Sequence, residues 1–236
     1  LERGKTFGLV GNSGCGKTTL SRMITRVLKP SGGRIRFEGE DIARLDRKGS
    51  RAYHRRVQII FQNPEASLDP SMRIRDSLLE AMAIHRLGES REERMEKIRA
   101  ALGQVGLPNP ELVAKRYPHT MSGGQRQRVM IAMAMACNPK ILFADEPTTA
   151  LDVTMQAQIL DLMNHLKEKR GTSILLITHD LGVVAKMADR IAVMYAGKIV
   201  EYGDARQVFY RPSHPYTWGL LGAMPNLIQD VKSELY

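Results

Sequence analysis

Cysteine is scarce: Cys15 and Cys137 are the only two in 236 residues. Two thiols make neither a disulfide framework nor a four-ligand zinc site, and such usage fits a reducing, cytosolic compartment. Long apolar runs are missing as well. No stretch approaches the ~18 uncharged apolar residues of a spanning helix, and the opening Leu1-Glu2-Arg3-Gly4-Lys5 is unlike a secretory leader, so a soluble chain is expected. Internal repeats and low-complexity segments are also lacking, which excludes solenoids and wholesale disorder.

What is present is an ordinary globular composition with a basic balance. Hydrophobic residues make up 43% of the chain, enough for a sizeable core in one large domain or two small ones. Lys and Arg number 35 against 25 Asp and Glu, a formal charge of +10. That excess favours polyanions such as nucleic acid, anionic lipid or nucleotide phosphates, and charge alone does not choose among them.

Lys5 to Val10 reads as a short buried strand, followed by a glycine-rich turn and a helix from Lys17 to about Leu28, which Pro30-Ser31-Gly32-Gly33 ends. Arg34 to Glu38 and Val57 to Phe61 are further strand candidates, the second a continuous apolar run of the kind a covered parallel sheet contains. Between Pro64 and Thr120 the signals are helical only, with Met95, Ile98, Leu102 and Val105 on one stripe. Beyond them, Lys140 to Ala144 and Ser173 to Thr178 flank a helix over Val153 to Lys169, and Arg190 to Tyr195 with Lys198 to Tyr202 suggest a hairpin through Ala196-Gly197. This alternation predicts an α/β fold with a mostly parallel sheet and an inserted helical subdomain.

Gly11-Asn12-Ser13-Gly14-Cys15-Gly16-Lys17-Thr18 fits G-x-x-x-x-G-K-[ST], between a strand and a helix as that loop requires. Its glycines let successive N–H groups curl around a phosphate, and the helix N-terminus, which Thr19 continues, adds partial positive charge. Lys17 is placed to reach the β- and γ-phosphates and the Thr18 hydroxyl to ligate Mg²⁺. Cys15 has two readings here: a thiolate made reactive by the helix N-terminus and Lys17, or a small loop filler. Farther on, Ile141 to Ala144 ends in Asp145 and Glu146. Asp145 suits a Mg²⁺ contact and Glu146 the orienting or deprotonation of the attacking water; by itself the pair is equally an acidic turn before Pro147. Ser122-Gly123-Gly124-Gln125 opens an apolar helix. The Ser and Gln form a capping box on spacing alone, while paired glycines suit close approach to a phosphate.

Met121-Ser122-Gly123-Gly124-Gln125-Arg126-Gln127-Arg128 resembles the signature of ABC-type ATPases, and Ala150-Leu151-Asp152 resembles their D-loop. His179, in Ile177-Thr178-His179-Asp180, matches their switch histidine, and Gln62, in Phe61-Gln62-Asn63-Pro64, their Q-loop glutamine. Within that family, Asn63 to Pro70, Ala144 to Asp152 and Arg211-Pro212-Ser213-His214-Pro215-Tyr216-Thr217 are similar to the ATP-binding subunits of peptide and nickel importers. The His-Pro-Tyr element is read as a helix-starting packing motif.

The resemblance implies a P-loop NTPase core over residues 1–63 and 140–203, a helical subdomain over 64–139 and a C-terminal helical tail over 204–236. It implies ATP and Mg²⁺ as ligands. Glu146, His179, Gln62 and Lys17 are then catalytic; Gly11 to Thr19, Gln62, Ser122 to Gln125, Asp145 and His179 bind nucleotide; Thr18, Gln62 and Asp145 hold the metal. Family members carry a preceding β segment with an aromatic that stacks on adenine, which this sequence lacks, and Met121 replaces a usual leucine. The expected partners are transmembrane permease subunits, a second ATP-binding subunit and, indirectly, a substrate-binding protein. The expected location is the cytoplasmic face of a prokaryotic cell membrane, held peripherally. An ABC-type ATPase acting on nucleic acid is the alternative, but the middle segment has neither the heptads nor the metal-ligand cysteines of such proteins, and no nucleic acid is expected. A regulatory module that does not hydrolyse ATP is disfavoured by the intact Lys17, Glu146 and His179.

Overall fold

A computed structural model describes residues 1–149 and 151–223. The chain runs β1 (Thr6–Val10), α1 (Lys17–Ile24), β2 (Arg36–Phe37), β3 (Glu40–Asp41), α2 (Arg47–Arg56) and β4 (Val57–Ile60). Next come the helices α3 (Pro64–Ser67), α4 (Ile74–Ile84), α5 (Arg91–Gln104), α6 (Pro110–Lys115) and α7 (Gly123–Ala136). The remainder is β5 (Ile141–Asp145), α8 (Val153–Arg170), β6 (Ser173–Thr178), α9 (Leu181–Met187), β7 (Arg190–Tyr195), β8 (Lys198–Asp204), α10 (Ala205–Tyr210) and α11 (Pro215–Gly222). The last two are the described part of the expected C-terminal tail; residues 224–236 lie outside the described residues.

Six strands form one sheet in the order β4-β5-β6-β1-β7-β8, parallel except for β7 against β8. The apolar runs explain the arrangement: every residue of β6 is buried, as are four of the five in both β1 and β5, so both faces of these strands must be covered. Leu9, Phe143 and Ile177 pack on one face with Tyr53 of α2, whereas Val10, Ala144 and Leu176 pack on the other beneath α4, α5, α7 and α8. Fully buried side chains such as Ile60, Leu176 and Ile98 each contribute about 1.5–3 kcal/mol of transfer free energy. The stripe read on α5 is real, with Ile98, Leu102 and Val105 buried and Met95 partly so.

Two local expectations are corrected. Helix α1 stops at Ile24 rather than Leu28, because the Thr25 hydroxyl donates back to the Ser21 carbonyl (2.9 Å) and Arg26 turns left-handed at φ 60. Arg34 to Glu38 does not enter the main sheet. Its Arg36–Phe37 pairs with β3 as a separate two-stranded ribbon turned through Glu38 and Gly39, both at positive φ. The β7–β8 hairpin turns through Ala196 (φ 47) and Gly197 (φ 79), the doubly left-handed turn that suits strand twist.

Candidate active site

Strands β4, β5, β6 and β1 point the same way, so their carboxyl ends deliver Gln62, Glu146, His179 and the Gly11–Gly16 loop to a single edge of the sheet. In open α/β sheets ligands bind at this edge. The loop is built for close approach. A Cβ on Gly11 would sit 2.2 Å from the Met194 carbonyl oxygen, which is backbone and cannot yield, and Gly16 precedes α1 at φ 109. No side chain caps α1 and its first turn holds no acid, so its N–H groups are left for an anion. By contrast, α2, α8, α9 and α10 are each closed by their own Asp.

Lys17 is buried, with its Nζ donating to the carbonyls of Gly11 (2.6 Å) and Asn12 (2.9 Å) and lying 3.7 Å from the Cys15 sulfur. The Cys15 thiol points beneath the loop, where it packs with Leu9 and Met194. The thiol is thus buried, as the filler reading expects, with the Lys17 ammonium beside it.

Glu146 is the meeting point. Its Oε1 lies 2.9 Å from His179 Nδ1, and its Oε2 accepts from Gln62 Nε2 (2.8 Å) and Thr149 Oγ1 (3.0 Å). The carboxylate is held by a backbone at φ 48, and its N–H donates to the Ile177 carbonyl (2.8 Å), which locks β5 to β6 just where both strands end. A non-glycine residue in this region is strained, and such strain gathers at functional sites. Asp145, 8% exposed, is pushed up from the usual carboxylate range, first by burial and then by the Glu146 charge, against the pull of Lys17 and Arg22. It lines a 590 Å³ cleft together with Thr18, Arg22 and Gln62. With Gln62 Nε2 given to Glu146, its Oε1 remains. A threonine hydroxyl, an amide oxygen and a carboxylate form an all-oxygen donor set, which suits Mg²⁺.

Ser122, Gly123, Gly124 and Gln125 stand apart from this cleft. The Ser122 hydroxyl accepts from the Gln125 N–H (3.3 Å) and Gln125 Oε1 accepts from the Ser122 N–H (3.2 Å), so the capping box is formed. Gly123 faces a second, 560 Å³ cleft with Gln62, Thr149 and Leu151, and a Cβ on Gly124 would meet the Met155 methyl at 2.1 Å. Thr149 is the site residue that sequence reasoning missed. Its position three residues after Glu146, in a turn closed by its own N–H to the Glu146 carbonyl (3.2 Å), was the available signal.

Residues 1–149 match the family described as ABC transporter. The chain belongs to the ABC transporter family. Residues 200–235 match a second family, described as oligopeptide/dipeptide transporter, C-terminal region. The dipeptide transport ATP-binding protein DppD of Bacillus subtilis is 49% identical over 96% of this chain and 69% of its own length. The oligopeptide transport ATP-binding protein OppD of Salmonella typhimurium is 48% identical over 96% of this chain and 69% of its own. Among solved structures, cbiO1 of Clostridium perfringens, part of the ABC transporter complex cbiONQ, superposes with a TM-score of 0.78 at 30% identity, over 89% of this chain and 81% of that one. The ATP-binding cassette MJ0796, a dimer in a post-hydrolysis state bound to ADP and Pi, gives 0.76 at 29% identity, over 87% and 88%. As an ABC ATPase this chain has the P-loop fold that the sequence implied, and it couples ATP hydrolysis to transport. The nucleic-acid reading draws no support from these likenesses. No helix among the described residues is long and apolar enough to cross a membrane.

Proposed function

We propose that this chain is the ATP-hydrolysing subunit of a membrane importer whose cargo is peptides, with nickel or another metal chelate as the second candidate. The names of its relatives and the match over residues 200–235 favour peptides. The observation that carries the catalytic assignment is the convergence of Gln62, Thr149 and His179 on the Glu146 carboxylate, beside Asp145 and the open N-terminus of α1.

In this reading residues 1–63 and 140–203 are the nucleotide-binding core and 64–139 the helical subdomain. The loop N–H groups and Lys17 hold the phosphate tail; Lys17 exchanges its two loop carbonyls for phosphate oxygens. Thr18, Gln62 and Asp145 hold Mg²⁺, which when bound supplies charge neutralisation on the phosphates. Glu146 orients a water toward the γ-phosphate and takes its proton, while His179 holds the carboxylate's other oxygen and Gln62 and Thr149 fix its rotamer. Ser122 and Gly124 of a second ATP-binding subunit, identical or a sister chain, close the site. Permease subunits and a binding protein complete the importer, with this chain peripheral on the cytoplasmic face of a prokaryotic membrane.

Glu146→Gln keeps shape and removes basicity. Hydrolysis should fall about a hundred- to ten-thousandfold with ATP binding intact. Turnover within about threefold of the unmodified chain, roughly 0.7 kcal/mol of barrier, would overturn the assignment.

A further inference from the structure

The Arg211–Thr217 element, read from sequence as packing alone, reaches the phosphate loop. Tyr216 Oη accepts a hydrogen bond from the Asn12 backbone N–H at 3.0 Å, and the Tyr216 ring lies against Tyr195 with centroids 4.5 Å apart. The mount behind Tyr216 is prepared in detail. Glu201 of β8 collects the N–H groups of Ser213 (2.7 Å) and His214 (3.1 Å). His214 Nδ1 then accepts from the Tyr216 N–H (3.1 Å), capping α11, and Trp218 Nε1 donates to the Pro212 carbonyl (2.7 Å). Two carboxylate oxygens, an imidazole and an indole thus fix one tyrosine against one peptide group.

That peptide group is the weak point of the loop. Asn12, Ser13 and Gly14 are exposed and glycine-flanked, so their order depends on few bonds. The Gly11–Asn12 peptide is held on its carbonyl by Lys17 Nζ (2.6 Å) and on its N–H by Tyr216 (3.0 Å), while the next carbonyl, that of Asn12, accepts from Lys17 Nζ (2.9 Å) and the Cys15 N–H (3.3 Å). When Lys17 turns to a phosphate, its bond to the Gly11 carbonyl is given up, and Tyr216 becomes the main tether of the Gly11–Asn12 peptide. We propose that Tyr216 is a positioning residue for ATP binding, through which the His-Pro-Tyr element holds the phosphate loop in its receptive shape. This rests on reading the loop as the ATP site.

Tyr216→Phe keeps the ring against Tyr195 and deletes only the acceptor. On the full chain, the affinity for Mg·ATP should weaken about three- to tenfold, the scale of one neutral hydrogen bond. In the assembled transporter KM for ATP should rise by the same factor with kcat within twofold. Trp218 is the only tryptophan in the sequence and shares α11 with Tyr216, so its emission is a built-in reporter. Saturating Mg·ATP should change that emission in the unmodified chain and leave it unchanged in Tyr216→Phe. Tyr195→Phe, which leaves the Asn12 bond intact, should match the unmodified chain throughout. A loss of affinity smaller than threefold, or an undiminished Trp218 response in Tyr216→Phe, overturns the proposal. If Lys17→Ala abolishes binding while Tyr216→Phe does not alter it, only this inference fails; if the unmodified chain binds no Mg·ATP, the reading of the loop fails with it.

Discussion

Tyr53 shows how a single residue ties the sheet to the helix that carries the phosphate loop. It is 3% exposed, and its hydroxyl donates to the Ile24 carbonyl at the end of α1 (2.6 Å). Burial pushes its ionisation from the ordinary 10.0 up to about 12. The folded state therefore keeps its proton more tightly than the unfolded chain, so this contribution is complete below pH 10 and is lost as pH rises toward 12. Tyr53→Phe should lose about 1–2 kcal/mol at neutral pH. In denaturant melts the gap between the two proteins should narrow as pH rises through that window, and a constant gap would contradict it. The cysteines give a second test at this scale. Cys15 packs beneath the loop, and desolvation pushes Cys137 up to about 11. Maleimide should label Cys15 no faster than Cys137 in the native chain, and both much faster in denaturant. Glu146 was legible in the sequence because it ends an apolar strand, whereas His179 and Gln62 were reached only through the family resemblance, since a lone polar residue at a strand end otherwise reads as surface. The role of Thr149 and the burial of the Cys15 thiol were not legible, since both depend on how a turn folds back in space.

At the scale of elements, the contrast lies between two helices that begin with glycines. Helix α7 satisfies its own first turn through Ser122 and Gln125, whereas α1 leaves its first turn open. Ser122→Ala should therefore cost about 0.5–2 kcal/mol in a chemical melt even without nucleotide. Gly11→Ala has no such graded outcome, because its Cβ would strike the Met194 carbonyl. Its expected result is loss of ATP binding with the loop displaced, checked by equilibrium titration. The parallel strands could be read from sequence because burial on both faces demands unbroken apolar runs. Of the β2–β3 ribbon only β2 was read, within Arg34 to Glu38, and its pairing with β3 apart from the main sheet was not. The ribbon is mostly exposed, and what fixes it is Glu38, whose carboxylate pairs with Arg56 and Lys140, residues distant in the chain.

For the whole molecule, Thr18 and Gly123 line different clefts, and the proposed second ATP-binding subunit would bring the Ser122–Gln125 turn to the Gly11–Thr19 loop. If each site takes Lys17 from one subunit and Ser122 from another, mixing Lys17→Ala with Ser122→Arg places both lesions at one interface and leaves the other intact. Two inactive proteins should then recover part of the ATPase activity. No recovery despite demonstrated mixed dimers would show that the sites are not shared. The left-handed backbone at Glu146 bears on stability as well as on the proposed chemistry. Holding a non-glycine residue there costs on the order of 1–3 kcal/mol, which glycine or asparagine would largely recover. A library propagated on heat resistance alone should therefore drift toward Glu146→Gly or Glu146→Asn. With Glu146 as the proposed base, robustness and turnover pull this position in opposite directions.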